Sequence, residues 1–140
     1  MRKGLSVLFA TVITGNPWSE IECGNNYARS MASYALLPLI SGFEFDMSRN
    51  FISFNPKEPK GFKAFWSLGT AWGNYKIEYD RGVLEILFGT IELSAFGIKF
   101  ARSADNVIVD GNTVKYSFEN GNVIFDKLTV RERLVIYISK

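Results

Sequence analysis

Hydrophobic and polar positions follow two different periods along this chain, and the period changes near Gly42. Ahead of Gly42, apolar positions recur at helical spacing and predict a helix from about Asn26 to Ile40. The positions that form this stripe are Tyr27, Met31, Tyr34, Ala35 and Leu39. Gly24-Asn25 offers the cap of this helix, Pro38 is expected to kink its last turn, and Gly42 is suited to end it.

From Phe43 onward the period is two, which predicts strands. Three runs show it most clearly, and their apolar positions are Tyr75, Ile77 and Tyr79; Val114, Tyr116 and Phe118; and Leu134, Ile136 and Ile138. The runs lie in residues 74–79, 113–118 and 134–138. Hairpin turns are predicted at Asp80-Arg81-Gly82, Asp110-Gly111 and Asn120-Gly121.

These patterns predict an α+β chain in two parts. Residues 1–42 form a helical segment, and residues 43–140 form one compact β-rich unit. Many short strands with tight turns favour an antiparallel β-sandwich or jelly roll, with one or two N-terminal helices attached. We expect the helix to pack a face containing Tyr27, Met31 and Tyr34 against the sheet.

Amino-acid composition excludes several kinds of catalytic and metal-binding site, but it constrains the fold less. With 140 residues and 47% hydrophobic positions the chain can bury a core of its own. Sixteen basic and fourteen acidic residues give a net charge of +2, too balanced for nucleic acid as the main partner. The absence of histidine and the single Cys23 exclude histidine-based catalytic triads and cysteine or histidine metal sites, so no cofactor or metal is expected.

The N-terminus resembles a short signal peptide, because Met1-Arg2-Lys3 precedes an apolar run from Leu5 to Ile13. No clear cleavage site stands before Asn16, so a buried helix is favoured over secretion and a cytoplasmic location is expected. This run and every later one are too short to span a membrane as a helix.

One short motif resembles an RNA-binding signature but lacks the spacing that RNA binding requires. Residues 60–65, Lys-Gly-Phe-Lys-Ala-Phe, resemble the signature strand of an RNA-recognition motif. The spacing of Phe62 and Phe65 sends the two rings to opposite faces of a strand, so they cannot form one stacking platform. We therefore predict no binding of nucleic acid.

The most informative polar groups precede the predicted helix. Glu20 and Glu22 lie two apart in a loop, and Arg29 follows in the first turns of the helix. A carboxylate and a guanidinium at one cleft can bind neighbouring hydroxyls of a sugar, while Trp18 could stack on its C–H face. A salt bridge between loop and helix, with a packed Trp18, explains the same residues.

This segment resembles glycoside hydrolase family 116, which includes non-lysosomal glucosylceramidases and β-glucosidases. The matching residues, from Asn16 to Leu36, are NPW-x-E-I-E-C-G-N-x-Y-A-R-S-M-A-S-Y-A-L, followed by SGFEFD at Ser41–Asp46. The similarity covers about residues 3–79 and is weaker in the β-rich tail.

The resemblance implies the end of an (α/α)₆ barrel joined to β-sandwich material. It implies that Glu20 and Arg29 bind glucose hydroxyls, and that both catalytic carboxylates lie upstream of this chain. A retaining glycosidase needs both carboxylates, so the chain alone is expected to be inactive and to bind a glucoside weakly at best.

Three hypotheses stay open. The chain is a C-terminal fragment or split subunit that works with a partner polypeptide carrying the catalytic barrel; a stand-alone β-sandwich module for carbohydrate or protein binding; or a truncated relic without function. An exposed row of aromatic side chains favours the second, with Trp18, Trp66 and Trp72 as candidate platforms. Barrel-facing apolar surface in residues 1–42 predicts partner binding or a homodimer through that segment.

Overall fold

The structure is a computed structural model that describes residues 34–139. The chain divides into two compact units, residues 1–37 and residues 38–140. The described elements are one short helix and eleven strands: α1 (Leu36–Ser41), β1 (Glu44–Asp46), β2 (Phe51–Ser53), β3 (Lys63–Ser67), β4 (Ala71–Ile77), β5 (Arg81–Gly89), β6 (Ile91–Gly97), β7 (Ser103–Val109), β8 (Asn112–Thr113), β9 (Ser117–Glu119), β10 (Asn122–Val130) and β11 (Arg133–Ser139).

Helix α1 ends at Ser41, directly before Gly42, the glycine that was predicted to end it. Gly42 has a φ of 56°, the left-handed conformation that a helix C-terminus favours. The N–H of Phe43 then donates to the carbonyl oxygen of Pro38 at 3.3 Å, the reverse hydrogen bond of a Schellman motif. The predicted C-terminal end of the helix is therefore confirmed, one residue later than Ile40, while residues 26–33 of the prediction lie outside the described residues.

The side chain of Tyr34 departs from its prediction. It was expected to be buried on the packing face of the helix, yet 76% of its surface is exposed. That exposure leaves little burial energy at this position, so the expectation is wrong for Tyr34. Tyr27 and Met31, the other members of that face, lie outside the described residues.

The strands form two sheets, which confirms the α+β class with a sandwich-like β region. One sheet has five strands in the order β1-β2-β6-β10-β9, and the other has six in the order β3-β4-β5-β11-β7-β8. Pairing is antiparallel except between β2 and β6, which run parallel. The chain changes sheet repeatedly, so strands that are neighbours in sequence often belong to different sheets.

The core lies between the inner faces of the two sheets. The Phe54 ring stacks on Tyr75 of the six-stranded sheet with centroids 4.2 Å apart, and Tyr75 lies 5.7 Å from Phe96 of the five-stranded sheet. The largest side chains in this core are fully buried: Trp66, Tyr75, Phe54, Phe96, Ile52, Ile77, Leu84, Ile91, Leu93, Ile98, Leu134 and Ile136. One apolar layer shared by both sheets is what a β-sandwich requires.

Two of the three predicted turns have the expected geometry. Positive φ angles at Asp110 and Gly111, and again at Asn120 and Gly121, are those of type I′ hairpin turns. The third predicted turn lies one or two residues earlier than expected, since Arg81 and Gly82 already belong to β5. Gly82 is needed there because a Cβ would lie 2.6 Å from the Tyr75 hydroxyl.

The alternating run at 113–118 is not the single strand that its pattern predicts. Thr113 ends β8 in the six-stranded sheet, and Ser117 begins β9 in the five-stranded sheet. Val114, Tyr116 and Phe118 still face the core, each half-buried, because the segment crosses from one sheet to the other along the core edge. Period-two burial is thus kept without continuous pairing.

The predicted position of Tyr79 is also wrong. It was predicted to continue the inward row of Tyr75 and Ile77, but β4 ends at Ile77 and the Tyr79 ring is exposed. The Glu78 N–H donates to the Arg81 carbonyl oxygen and closes the turn there, which ends the alternation.

Candidate functional site

The site predicted from the sequence motif lies outside the described residues. Glu20 and Arg29, together with the stacking candidate Trp18, precede residue 34, as do most residues of the proposed dimer segment 1–42. Their roles therefore stay predictions. The β-rich unit carries a different candidate, on the outer face of the six-stranded sheet.

Three aromatic side chains form a row across the outer face of strands β3, β4 and β5. They are Phe65, Trp72 and Phe88, with 48%, 40% and 66% of their surface exposed. The ring centroids of Phe65 and Trp72 are 6.1 Å apart, and those of Trp72 and Phe88 are 6.3 Å apart, with the latter pair tilted by only 18°. We call these three side chains the aromatic row.

A β-bulge brings Phe88 into this row. Trp72 pairs with Phe88 while the next residue of β4, Gly73, pairs with Ile86, so Leu87 is the extra residue. Because of the bulge, Ile86 packs against the core while Phe88, two residues later, faces outward. A regular strand would have placed both side chains on one face.

Gly73 makes room for the bulge. A Cβ at Gly73 would lie 1.8 Å from the carbonyl oxygen of Glu85 and 3.2 Å from the Cα of Ile86. The two backbones approach each other here as only glycine allows. The sequence Ala71-Trp72-Gly73 therefore supplies one ring of the aromatic row and the space that directs another.

A row of polar side chains lies directly beside the aromatic row. Phe65 pairs with Asn74, Asn74 with Glu85, and Glu85 with Arg133, so an amide, a carboxylate and a guanidinium follow one another across β4, β5 and β11. These side chains occupy the outer face because Ala64, Tyr75, Leu84 and Leu134, their chain neighbours, are buried. We call Asn74, Glu85 and Arg133 the polar row.

Glu85 is held in its charged form. The Lys76 ammonium donates to Glu85 Oε1 at 2.6 Å, and this hydrogen bond is the main reason why the pKa of Glu85 lies below its ordinary value. Partial burial acts in the opposite direction, while the charge of Lys76, a hydrogen bond from Asn74 and the charge of Lys63 add to the lowering. An ionised Glu85 accepts hydrogen bonds and donates none.

The structure separates the two tryptophans that the sequence proposed as platforms. The prediction of Trp66 as a stacking platform is wrong, because only 1% of its surface is exposed and it belongs to the core. Trp72 is exposed and stands at the centre of the aromatic row. Alternation in residues 64–67 already points Trp66 and Phe65 to opposite faces, but which face meets solvent was not readable from that pattern.

Sequence reasoning missed Phe88 and the polar row. Phe88 follows the apolar run Val83, Leu84, Ile86, Leu87, which reads as one buried strand, and nothing in it marks the bulge. The polar row depends on the register of three strands, β4, β5 and β11, and β11 lies about fifty residues after β5 in sequence. Gly73, directly after Trp72, was the one available signal, because a glycine inside a strand often marks a bulge.

Residues 34–139 contain no group of three or more acidic, cysteine or histidine side chains placed to hold a metal ion. Over the same residues, no helix has the length and apolar character needed to cross a membrane.

Comparisons with known proteins identify no family for this chain, so the candidate site is assessed from its geometry. No model of a known protein family matches this chain, and a search of curated proteins finds no similar sequence. The resemblance to glycoside hydrolase family 116 thus rests on the residues quoted for it and stays a hypothesis.

Proposed function

We propose that the β-rich unit is a carbohydrate-binding module that binds a β-linked glycan on the outer face of its six-stranded sheet. The observation that supports this most is the aromatic row of Phe65, Trp72 and Phe88. The C–H face of a pyranose is apolar and weakly positive, which suits the negative face of an aromatic ring. The ring centroids are 6.1 and 6.3 Å apart, which is close to the length of one sugar unit, so the row can stack on successive units of a glycan.

The polar row supports the same proposal. A sugar ring that stacks on Trp72 directs its hydroxyl groups sideways, and Asn74 and Glu85 lie on that side. The amide can donate and accept, the ionised carboxylate accepts, and Arg133 donates, so the set matches hydroxyls that do both. Cross-strand aromatic pairs alone also stabilise a sheet by about 0.5–1.5 kcal/mol, but that role does not call for adjoining hydrogen-bonding groups.

Substitution of Trp72 tests the proposal. In calorimetric titrations with a hexamer of β-1,4-linked glucose, we expect Trp72→Ala to weaken binding about tenfold or more, because one stacking partner of about 1.5 kcal/mol is lost. Phe45→Ala is the matched control, since it removes an exposed ring from the five-stranded sheet. Unchanged affinity in Trp72→Ala, with thermal unfolding also unchanged, would refute the proposal.

The family resemblance supports a second function, that of a fragment or split subunit of a glucosylceramidase-like β-glucosidase. Here Glu20 and Arg29 bind hydroxyls of the sugar, and the partner polypeptide supplies the catalytic carboxylates. We expect no hydrolysis of aryl β-glucosides by this chain alone. If a barrel polypeptide restores turnover, Glu20→Ala and Arg29→Ala should each reduce it sharply, whereas turnover by the isolated chain would contradict this assignment.

A further inference from the structure

A shallow depression of about 400 Å³ adjoins the polar row on the same outer face. Its floor contains Val83 and Val135, and its walls carry five charged side chains: Lys76, Glu78, Arg81, Glu85 and Arg133. Glu85 and Arg133 belong both to the polar row and to the lining of the depression. Substituents of a glycan bound on the aromatic row can therefore extend past the polar row into the depression.

The charges in the depression are paired with one exception. Lys76 Nζ lies 2.6 Å from Glu85 Oε1, and Arg81 Nε lies 2.5 Å from Glu78 Oε2. Asp80 lies 3.9 Å from Arg81 as a second carboxylate, so that guanidinium is fully compensated. Among residues 34–139, no carboxylate lies within 4 Å of the Arg133 guanidinium.

Arg133 is also well presented to a ligand. Its side chain is exposed, and its backbone is fixed because the Arg133 N–H donates to Asp110 Oδ1 at 2.9 Å. Lys63 adds positive charge nearby, since it pairs with Lys76 in the sheet and its charge reaches Glu85. Among the side chains that line the depression, the Arg133 guanidinium is therefore the one free cation, and the nearby Lys63 ammonium adds to the positive charge around it.

We infer that this depression binds the carboxylate of a uronic acid unit, so the glycan on the aromatic row is a polyuronide. This inference rests on the proposed function. A guanidinium binds a carboxylate through two parallel hydrogen bonds, which a neutral hydroxymethyl group cannot provide. Both carboxylates in the lining of the depression, Glu78 and Glu85, are paired with other cations, so the guanidinium of Arg133 is left to bind the carboxylate of a ligand.

Two hexasaccharides that differ only at C6 test the inference. The probes are a hexamer of β-1,4-linked glucuronate and the hexamer of β-1,4-linked glucose, each titrated calorimetrically into the full chain. We expect the glucuronate hexamer to bind about five- to tenfold more tightly at low salt, and added salt to reduce this preference because the site is solvent-exposed. Arg133→Gln should abolish the preference, because the glucuronate hexamer should lose clearly more affinity than the glucose hexamer, for which Arg133 supplies only one hydroxyl contact.

Arg102→Gln is the charge-matched control, because Arg102 is exposed in the connection between β6 and β7. It should leave the preference intact. Equal binding of the two hexamers overturns the inference and leaves the proposed function standing. Equal losses in Arg133→Gln and Arg102→Gln also overturn it, since only net charge would then matter, and binding of neither hexamer refutes the proposed function itself.

Discussion

At the scale of single residues, Asp110 links two turns of the sandwich that lie far apart in sequence. Its carboxylate accepts hydrogen bonds from the backbone N–H groups of Arg131, Glu132 and Arg133 at 2.8–2.9 Å. Asp110 follows β7, and the three donors are the two residues between β10 and β11 and the first residue of β11, so one side chain joins two turns of the sandwich. The same contact fixes the backbone of Arg133, which belongs to the polar row.

We expect Asp110→Asn to destabilise the chain by about 1–2 kcal/mol at neutral pH. An amide oxygen accepts these N–H groups more weakly than a carboxylate does, and its NH₂ group faces donors. Urea unfolding followed by circular dichroism measures the change. Asp126→Asn, at an exposed position of β10, is the control and should change stability little.

The contribution of Asp110 should also depend on pH. Partial burial acts to raise the pKa of Asp110, but the backbone N–H groups of Arg133, Glu132 and Arg131 outweigh it and lower the pKa below its ordinary value. A lowered folded-state pKa gives stability that is present above the unfolded value of about 3.9 and is lost as the pH falls through the folded value. The difference between the wild-type chain and Asp110→Asn should therefore shrink as the pH falls below the unfolded value of about 3.9, and a constant difference would contradict this account.

At the scale of elements, the bulge in β5 determines which rings reach solvent. Leu87 is the extra residue, Gly73 accommodates the approach of Glu85, and Phe88 turns outward as a result. The bulge is thus a structural feature with a functional consequence, as bulges near binding sites often are.

We expect Gly73→Ala to destabilise the sandwich by about 2 kcal/mol or more and to weaken glycan binding. The added Cβ would lie 1.8 Å from the Glu85 carbonyl oxygen, so the β4–β5 pairing must open at the bulge. Gly69→Ala is a close control, because no atom lies within 4 Å of its added Cβ. Urea unfolding and the glucose-hexamer titration are the two measurements, and equal behaviour of both variants would show that the bulge does not depend on glycine.

Local chemistry made part of this architecture predictable. The turns at Asp110-Gly111 and Asn120-Gly121 follow from residues that tolerate positive φ, and the helix end at Gly42 follows for the same reason. The period of two in residues 134–138 predicts β11, which is central to its sheet and buried at Leu134, Ile136 and Ile138. In each case neighbouring residues carry all the information.

Long-range pairing was not predictable. The exposure of Phe88 depends on a bulge against β4, and the run at 113–118 divides between two sheets, which its alternation does not reveal. The polar row combines β4, β5 and β11 through registers that the sequence leaves open. Binding faces of β-sandwiches are therefore harder to predict than their strands.

At the scale of the whole molecule, stability is expected to be highest where the two sheets share the core. Strands β5 and β11 lie inside one sheet and β6 and β10 inside the other, whereas β1, β3, β8 and β9 form the edges. We expect amide hydrogen exchange in the inner strands to be slower than in the edge strands by orders of magnitude, because inner amides open only with the global transition. Similar rates in both groups would contradict a single cooperative core.

The most direct test of the central claim uses the indole N–H groups of the three tryptophans in an NMR titration. Trp72 belongs to the aromatic row, Trp66 is buried in the core as an internal control, and Trp18 belongs to the motif with Glu20 and Arg29. Addition of the glucose or glucuronate hexamer should shift the Trp72 indole signal in a saturable way and leave Trp66 unchanged. An unchanged Trp72 signal at millimolar hexamer would contradict the account, and a shift of Trp18 alone would instead place glycan binding at Glu20 and Arg29.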